Sequence, residues 1–274
     1  MIAVAAGRLP TALLPPALAS FLLAGTIAVF LAGCATPPPA DDPDAVADFQ
    51  AANDPLEPTN RKFYAFNDAL DTYVLRPVAR GYRAVVPQPI RTGIHNVLAN
   101  VSSPVLFMND VAEAKPKRAG DTMVRFILNS TIGLAGIFDV ADKLGYHQHD
   151  SGFGTTLALW GVPGGVFLYL PVLGPTNPRD AAGFGTDVLT DPLTWASAGV
   201  GLTIAGYFRY GANTLDQRER LLDTVDNIKQ TALDPYATFR SLYRQHREAE
   251  IEKVKADNAA TVPVWFDQPA APSR

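Results

Sequence analysis

Apolar residues recur at helical spacing in several separate stretches of the chain. Between Thr59 and Arg76, Phe63, Phe66, Leu70, Tyr73 and Val74 share one face, while Arg61, Lys62, Asn67, Asp68 and Asp71 avoid it. Pro58 and Thr59 supply a start signal, and Pro77 predicts the end. Pro87 to Val101 repeats the design with Ile90, Ile94, Val97, Leu98 and Val101; His95 and Asn96 fall outside that face. Ser102-Ser103-Pro104 predicts a stop, with a further short helix from Pro104 to Glu113. From Ala119 to Asp142 the apolar residues point nearly all round a helix, a pattern expected of a segment that is deeply buried or in lipid.

Thr155 to Pro175 carries no charge, yet Gly161, Pro163, Gly164, Gly165, Pro171 and Gly174 interrupt it. The 17 residues from Leu157 to Leu173 would make a straight helix of roughly 25 Å, against a hydrocarbon core of about 30 Å. An interior proline costs a helix about 3 kcal/mol. A lone span in lipid is therefore not expected; Gly161, Pro163, Gly164 and Gly165 read as joints of a bent apolar helix covered by protein or lining a polar cavity. Pro192 to Phe208 is a second uncharged apolar segment. Two charged amphipathic segments follow, Thr214 to Gln230 and Asp234 to Asp257, and the second puts Tyr236, Phe239, Tyr243 and His246 on one face. No segment alternates with period two over a strand length, and no fixed-period repeat stands out. The expected fold is all-α, with more apolar surface than a water-soluble globule can hide.

The N-terminus adds an address. Residues 1–33 hold one charge, Arg8, and an apolar run from Ala17 to Leu31. They end in Leu31-Ala32-Gly33-Cys34, which resembles the bacterial lipobox; Cys34 is the only cysteine and the expected site of acylation. Ala35 in place of Asp favours the outer membrane. Residues 35–54 are acidic and rich in proline, the composition of a tether. The organisation read from the chain is a signal peptide over 1–33, a tether over 34–54, a helical domain over 55–257 and a loose tail over 258–274. The net charge of −4 offers no basic footprint for nucleic acid.

The residues name no reaction. There is no G-x-S-x-G elbow and no glycine-rich phosphate loop. His147-Gln148-His149-Asp150 has the opening histidines of a metallo-hydrolase signature without its continuation, so no metal and no cofactor are expected.

From Asp54 onward the chain is similar to a known family. "DPLEPTNRKFYAFNDALDTYVLRPVARGYRAVVPQPIR" (54–91), "RFILNSTIGLAGIFDVAD" (125–142), "FGTTLALWGVPGGVFLYLPVLGPTNPRD" (153–180) and "DPYATFRSLY" (234–243) resemble, in order, the MlaA/VacJ family of outer-membrane lipoproteins. Asp150-Ser151-Gly152 depart from the family's usual acidic residue directly before Phe-Gly. The resemblance implies a ring of amphipathic and apolar helices embedded in the outer membrane of a Gram-negative bacterium, with C-terminal helices facing the periplasm. It implies a polar channel that removes misplaced phospholipid from the outer leaflet and hands it to a periplasmic lipid carrier, beside a trimeric porin. Arg125, inside an apolar helix, and Arg179, at the end of the uncharged stretch, are then the candidates to meet the headgroup. A structural lipoprotein and a lipid-active hydrolase are the alternatives.

Overall fold

The computed structural model describes residues 35–39, 41–192 and 200–257, with backbone alone at residues 44, 45, 51 and 200–208. Cys34, the signal segment and the tail from 258 lie outside the described residues, as do residues 193–199 of the apolar segment Pro192–Phe208.

The described chain is helical apart from one hairpin. Helix α1 (Pro43–Ala52) stands where composition reads as a tether. Helix α2 (Glu57–Leu70) continues through a π-turn (Asp71–Leu75) into α3 (Arg76–Val85), so Pro77 does not end a helix. The Arg76 amide reaches back five residues to the Asp71 carbonyl, and this wider turn takes the proline ring into the first turn of α3. Helix α4 (Gln88–Ala112) likewise runs straight through the expected stop at Pro104. There the Ser102 and Ser103 hydroxyls fold back onto the helix, donating to the Leu98 and Ala99 carbonyls at 3.0 and 3.3 Å.

Helix α5 (Pro116–Thr131) is not apolar all round. It buries Arg118, Asp121, Thr122, Arg125 and Asn129 against α4 and leaves Met123 and Ile127 outside. The segment then leaves the helix: Leu134 and Ala135 sit in the left-handed region, and Asn129 Oδ1 accepts from the Val140 and Ala141 amides at 2.9 and 3.0 Å. That bond seats α6 (Val140–Lys143).

The uncharged stretch is also not a bent helix. Helix α7 (Phe153–Leu159) stops at Trp160, and strands β1 (Leu168–Leu170) and β2 (Gly174–Thr176) pair antiparallel with Tyr169 opposite Pro175. The outer edge of β1 is covered by asparagine side chains. Asn60 donates to the Phe167 carbonyl at 3.1 Å and accepts from the Tyr169 amide at 2.9 Å; Asn67, two turns on, donates to Leu170 and accepts from Val172, both at 2.8 Å. These amides satisfy backbone groups that an edge strand would otherwise leave open. Helices α8 (Pro178–Thr190), α9 (Val200–Arg220), α10 (Leu222–Thr231) and α11 (Pro235–Ala256) complete the chain.

A small aromatic core of Phe167, Tyr169 and Tyr236, flanked by Phe63, Tyr64 and Tyr243, joins the hairpin to α2 and α11. Asp54, in the segment whose composition reads as a tether, is tied into it, accepting from Asn60 and Arg240 at 2.7 and 2.8 Å and from the Tyr236 hydroxyl. His246 is exposed, and Arg247 takes the inward position on α11.

Elsewhere the interior is polar. Among the described residues, 22 buried residues are polar or charged and 8 are apolar, whereas Tyr73, Ile127, Ile132, Leu134, Phe138 and Val172 are exposed. Large apolar side chains outside and paired charges inside reverse the usual distribution. A ladder of ion pairs binds α3 and α4 to α9 and α10: Arg76 and Arg80 to Asp226, Arg83 to Glu219 and Asp223, and Arg91 to Glu219.

Candidate functional site: an amphipathic cavity among three helices

Three helical stripes face one another across a cavity of about 430 Å3. Helix α4 supplies His95, Leu98, Ser102 and Leu106, α8 and its end supply Phe184, Asp187, Val188 and Asp191, and α9 supplies Arg209, Tyr210, Asn213, Asp216 and Gln217. Each set recurs every three or four residues, as one face of a helix must. The loop Gln148–Ser151 forms the remaining wall. The volume lies in the range of ligand sites.

The lining is held by charge. His95 Nδ1 lies 2.8 Å from Asp216, which also pairs with Arg220 at 3.3 Å. Arg209 pairs with Asp191 and lies 4.8 Å over the Tyr210 ring. Asp187 takes the Asn109 amide at 2.8 Å and the Phe153 backbone N–H at 3.0 Å; burial outweighs these neutral donors and pushes its carboxyl up. Asp187 also ties α8 to the start of α7, next to the Asp150-Ser151-Gly152 departure. Behind the loop, the fully buried Asp110 gathers His149 at 3.0 Å, the Thr122 hydroxyl at 2.6 Å and Arg118 at 3.5 Å.

The structure brings neither Arg125 nor Arg179 to this cavity. Arg125 donates to Asp139 at 2.8 Å and to the Tyr146 carbonyl, beside a void of about 20 Å3 that has room for one water molecule. Burial would raise the Asp139 carboxyl, but Arg125 and Asn129 hold it below the usual range. Arg179 pairs with Asp180 at 2.9 Å and lines a separate groove between α8 and α11. Of the expected joints, Gly161 and Gly165 have φ of +87° and +78°, a region that costs other residues energy. Gly164 does not, and a Cβ there would meet only Asn177 at 3.4 Å. Pro163 lies in the link between α7 and β1.

The lining residues Asp187, Asp191, Arg209 and His149 escape the reading of the chain. Arg209 looks like one charge among many at the edge of an apolar segment, and His149 like half of a failed metal motif. Among the described residues no group of three or more His, Cys, Asp or Glu is placed to hold a metal ion. No described helix is long and apolar enough to cross a membrane.

Helices that turn charged and hydrogen-bonding side chains, among apolar ones, toward a shared cavity and further apolar side chains outward form a shell with an amphipathic interior. The chain belongs to the MlaA lipoprotein family, whose family model matches residues 52–250. It is 34% identical over 231 residues to the intermembrane phospholipid transport system lipoprotein MlaA of Haemophilus influenzae, covering 83% of this chain and 88% of that one. It is 32% identical over 233 residues to the protein of the same description in Escherichia coli K12, covering 84% and 86%. An uncharacterised protein of Rickettsia bellii is 34% identical over 210 residues, 74% and 78% of the two chains. A solved structure reported under the words "Structural basis for maintenance of bacterial outer membrane lipid asymmetry" superposes with a TM-score of 0.63 at 31% identity, covering 72% of this chain and 98% of that one.

Proposed function

We propose that this protein maintains outer-membrane lipid asymmetry by withdrawing misplaced phospholipid from the outer leaflet and passing it, chemically unchanged, to a periplasmic carrier of the Mla type. The cavity among α4, α8 and α9 supports this reading: it offers charged and hydrogen-bonding groups among apolar ones, an amphipathic lining inside a shell whose outward residues suit lipid. A charged headgroup crossing hydrocarbon unaided loses several kcal/mol of hydration, whereas hydroxyls, amides and paired charges along the cavity replace that hydration as the acyl chains stay in the membrane. Lowering this barrier is sufficient, and no bond in the lipid need break. Acylated Cys34 anchors the chain in the outer membrane, α11 faces the periplasm, and a porin trimer holds the shell in place. Arg125 and Arg179, paired with Asp139 and Asp180, stiffen the walls around the path.

The test is reconstitution of the lipidated protein with its porin in vesicles and a lipid-free carrier outside, following phospholipid labelled in its acyl chains. Intact lipid is expected on the carrier, and Asp191→Lys, which repels Arg209, should slow its appearance. Release of fatty acid or lysolipid that depends on this protein would overturn the proposal in favour of a hydrolase.

A further inference from the structure

The last helix ends close behind the cavity. Asp257, just past α11, is clamped by the start of α5: the Lys115 ammonium donates to its carbonyl at 2.7 Å, and Arg118 reaches its carboxylate at 3.4 Å. The same Arg118 guanidinium donates to the Asp150 carbonyl at 3.4 Å. Asp150 is an exposed residue of the cavity lining. One buried side chain therefore joins the point from which residues 258–274 depart to the rim of the cavity, with the loop 148–151 between them.

Those residues are mostly small or polar, apart from the run Val262-Pro263-Val264-Trp265-Phe266. Pro263 biases the residue before it toward an extended backbone. At about 3.3 Å per extended residue, Trp265 reaches up to roughly 26 Å from Asp257, several times the span of the one arginine side chain that separates Asp257 from the rim. Apolar side chains in such a run gain free energy by leaving water, and the cavity offers them a wall. Leu98, Val105, Leu106, Phe184 and Val188 line it, and Phe184 is still 46% exposed. Trp265 adds an indole N–H, which can only donate, and Asp150 and Asp187 in the same lining can accept.

We propose that residues 262–266 fold back past the loop 148–151 and plug the cavity, with Trp265 against Leu106 and Phe184 and its indole N–H on a carboxylate of the lining. The tail then restrains transfer, because lipid enters only when the plug is displaced. This rests on the reading that the cavity is the headgroup path.

The test uses the full lipidated protein with its porin in vesicles, labelled phospholipid and the lipid-free carrier. Gln148→Cys combined with Asp267→Cys should form a disulfide under mild oxidation, acylation of Cys34 leaving no other thiol. Ile127→Cys, on the outward face of α5, should form none with Asp267→Cys. The disulfide should stop transfer, and a reductant should restore it. Ending the chain after Asp257 should raise the initial rate of transfer roughly tenfold, the scale set by burying one large apolar side chain. Trp265→Ser should do the same in a chain of full length, should the shortened one not fold. Absence of the disulfide, as for a tail lying in the membrane interface, or an unchanged rate in both tail variants, would overturn the plug and leave the transport reading standing. Slower transfer without the tail would also overturn it and make the tail a landing site for the carrier. No transfer by any form would sink the transport reading and the plug together.

Discussion

Asp180 shows how single residues hold this molecule together. Burial alone would raise its carboxyl, but Arg247 at 2.8 Å, Arg179 and the Tyr243 hydroxyl outweigh burial and hold it well below the usual carboxylate range. A carboxyl whose folded pKa is depressed contributes stability above its unfolded pKa of about 3.9, and that contribution disappears as pH falls through the lower folded value. The thermal midpoint in detergent is therefore expected to stay level from pH 7 to 5 and to fall below about pH 4. Asp180→Asn should cost about 2 kcal/mol at pH 7, the scale of hydrogen bonds to a charged group, and should flatten part of the acid decline. In the chain Arg179 reads only as the end of the uncharged stretch, and the Asn177 cap on the Asp180 amide emerges in the structure. Arg247 is not legible either, since nothing local links it to a residue 67 positions earlier. The same holds for Asn60 and Asn67. Their spacing marks a polar stripe on α2, but only the tertiary arrangement makes that stripe the partner of an edge strand.

At the level of elements, helices were legible wherever an apolar stripe alternates with charge, and their ends were legible poorly. Proline is a local stop signal, and it fails at Pro77, where a π-turn widens the backbone ahead of the ring, and at Pro104, which α4 carries in its interior. The hairpin was hidden because β1 and β2 lie in one uncharged run, so no polar face marks a period of two. Packing between α7 and α8 was also invisible, although it depends on one position. A Cβ on Gly183 would overlap the backbone of Gly154, while a Cβ on Gly185 meets nothing within 4 Å. Gly183→Ala should therefore part these helices and disturb the Asp187 contact to Phe153, costing about 3 kcal/mol or more for overpacking. Gly185→Ala should be neutral or slightly stabilising through helix propensity. Thermal unfolding of both variants decides this; equal midpoints would contradict the packing described.

For the whole molecule, the excess of apolar residues could be counted in the chain, but the side to which they turn could not. The apolar residues from Ala119 to Asp142 point nearly all round a helix, whereas in α5 Arg118, Asp121, Arg125 and Asn129 belong to the buried face. The cavity was likewise hidden, being assembled from three helices and a loop far apart in sequence, and the resemblance to a family supplied the idea of a channel without its lining. Opposite outcomes follow for substitutions on the two faces of α5. Ile127→Lys, on an outward residue, should leave thermal unfolding in detergent nearly unchanged and weaken retention on membranes washed at high pH. Arg125→Leu strands Asp139 in a partly buried site and should cost about 3 kcal/mol, lowering abundance before any lipid phenotype appears.

The reversed interior also governs how the protein answers to heat. The heat capacity of unfolding comes mainly from apolar surface that becomes wet, about 12–15 cal/mol/K per residue in ordinary globules, while newly wetted polar surface subtracts from it. Here unfolding wets a largely polar interior, and many large apolar residues are already exposed on the surface of the fold. Calorimetry in detergent should give a heat capacity step per residue well under the ordinary range. A small step makes the curve of stability against temperature shallow, so the shell should keep nearly constant rigidity over the span of temperatures its host meets, where a conventional globule of equal size would rise to a maximum and decline.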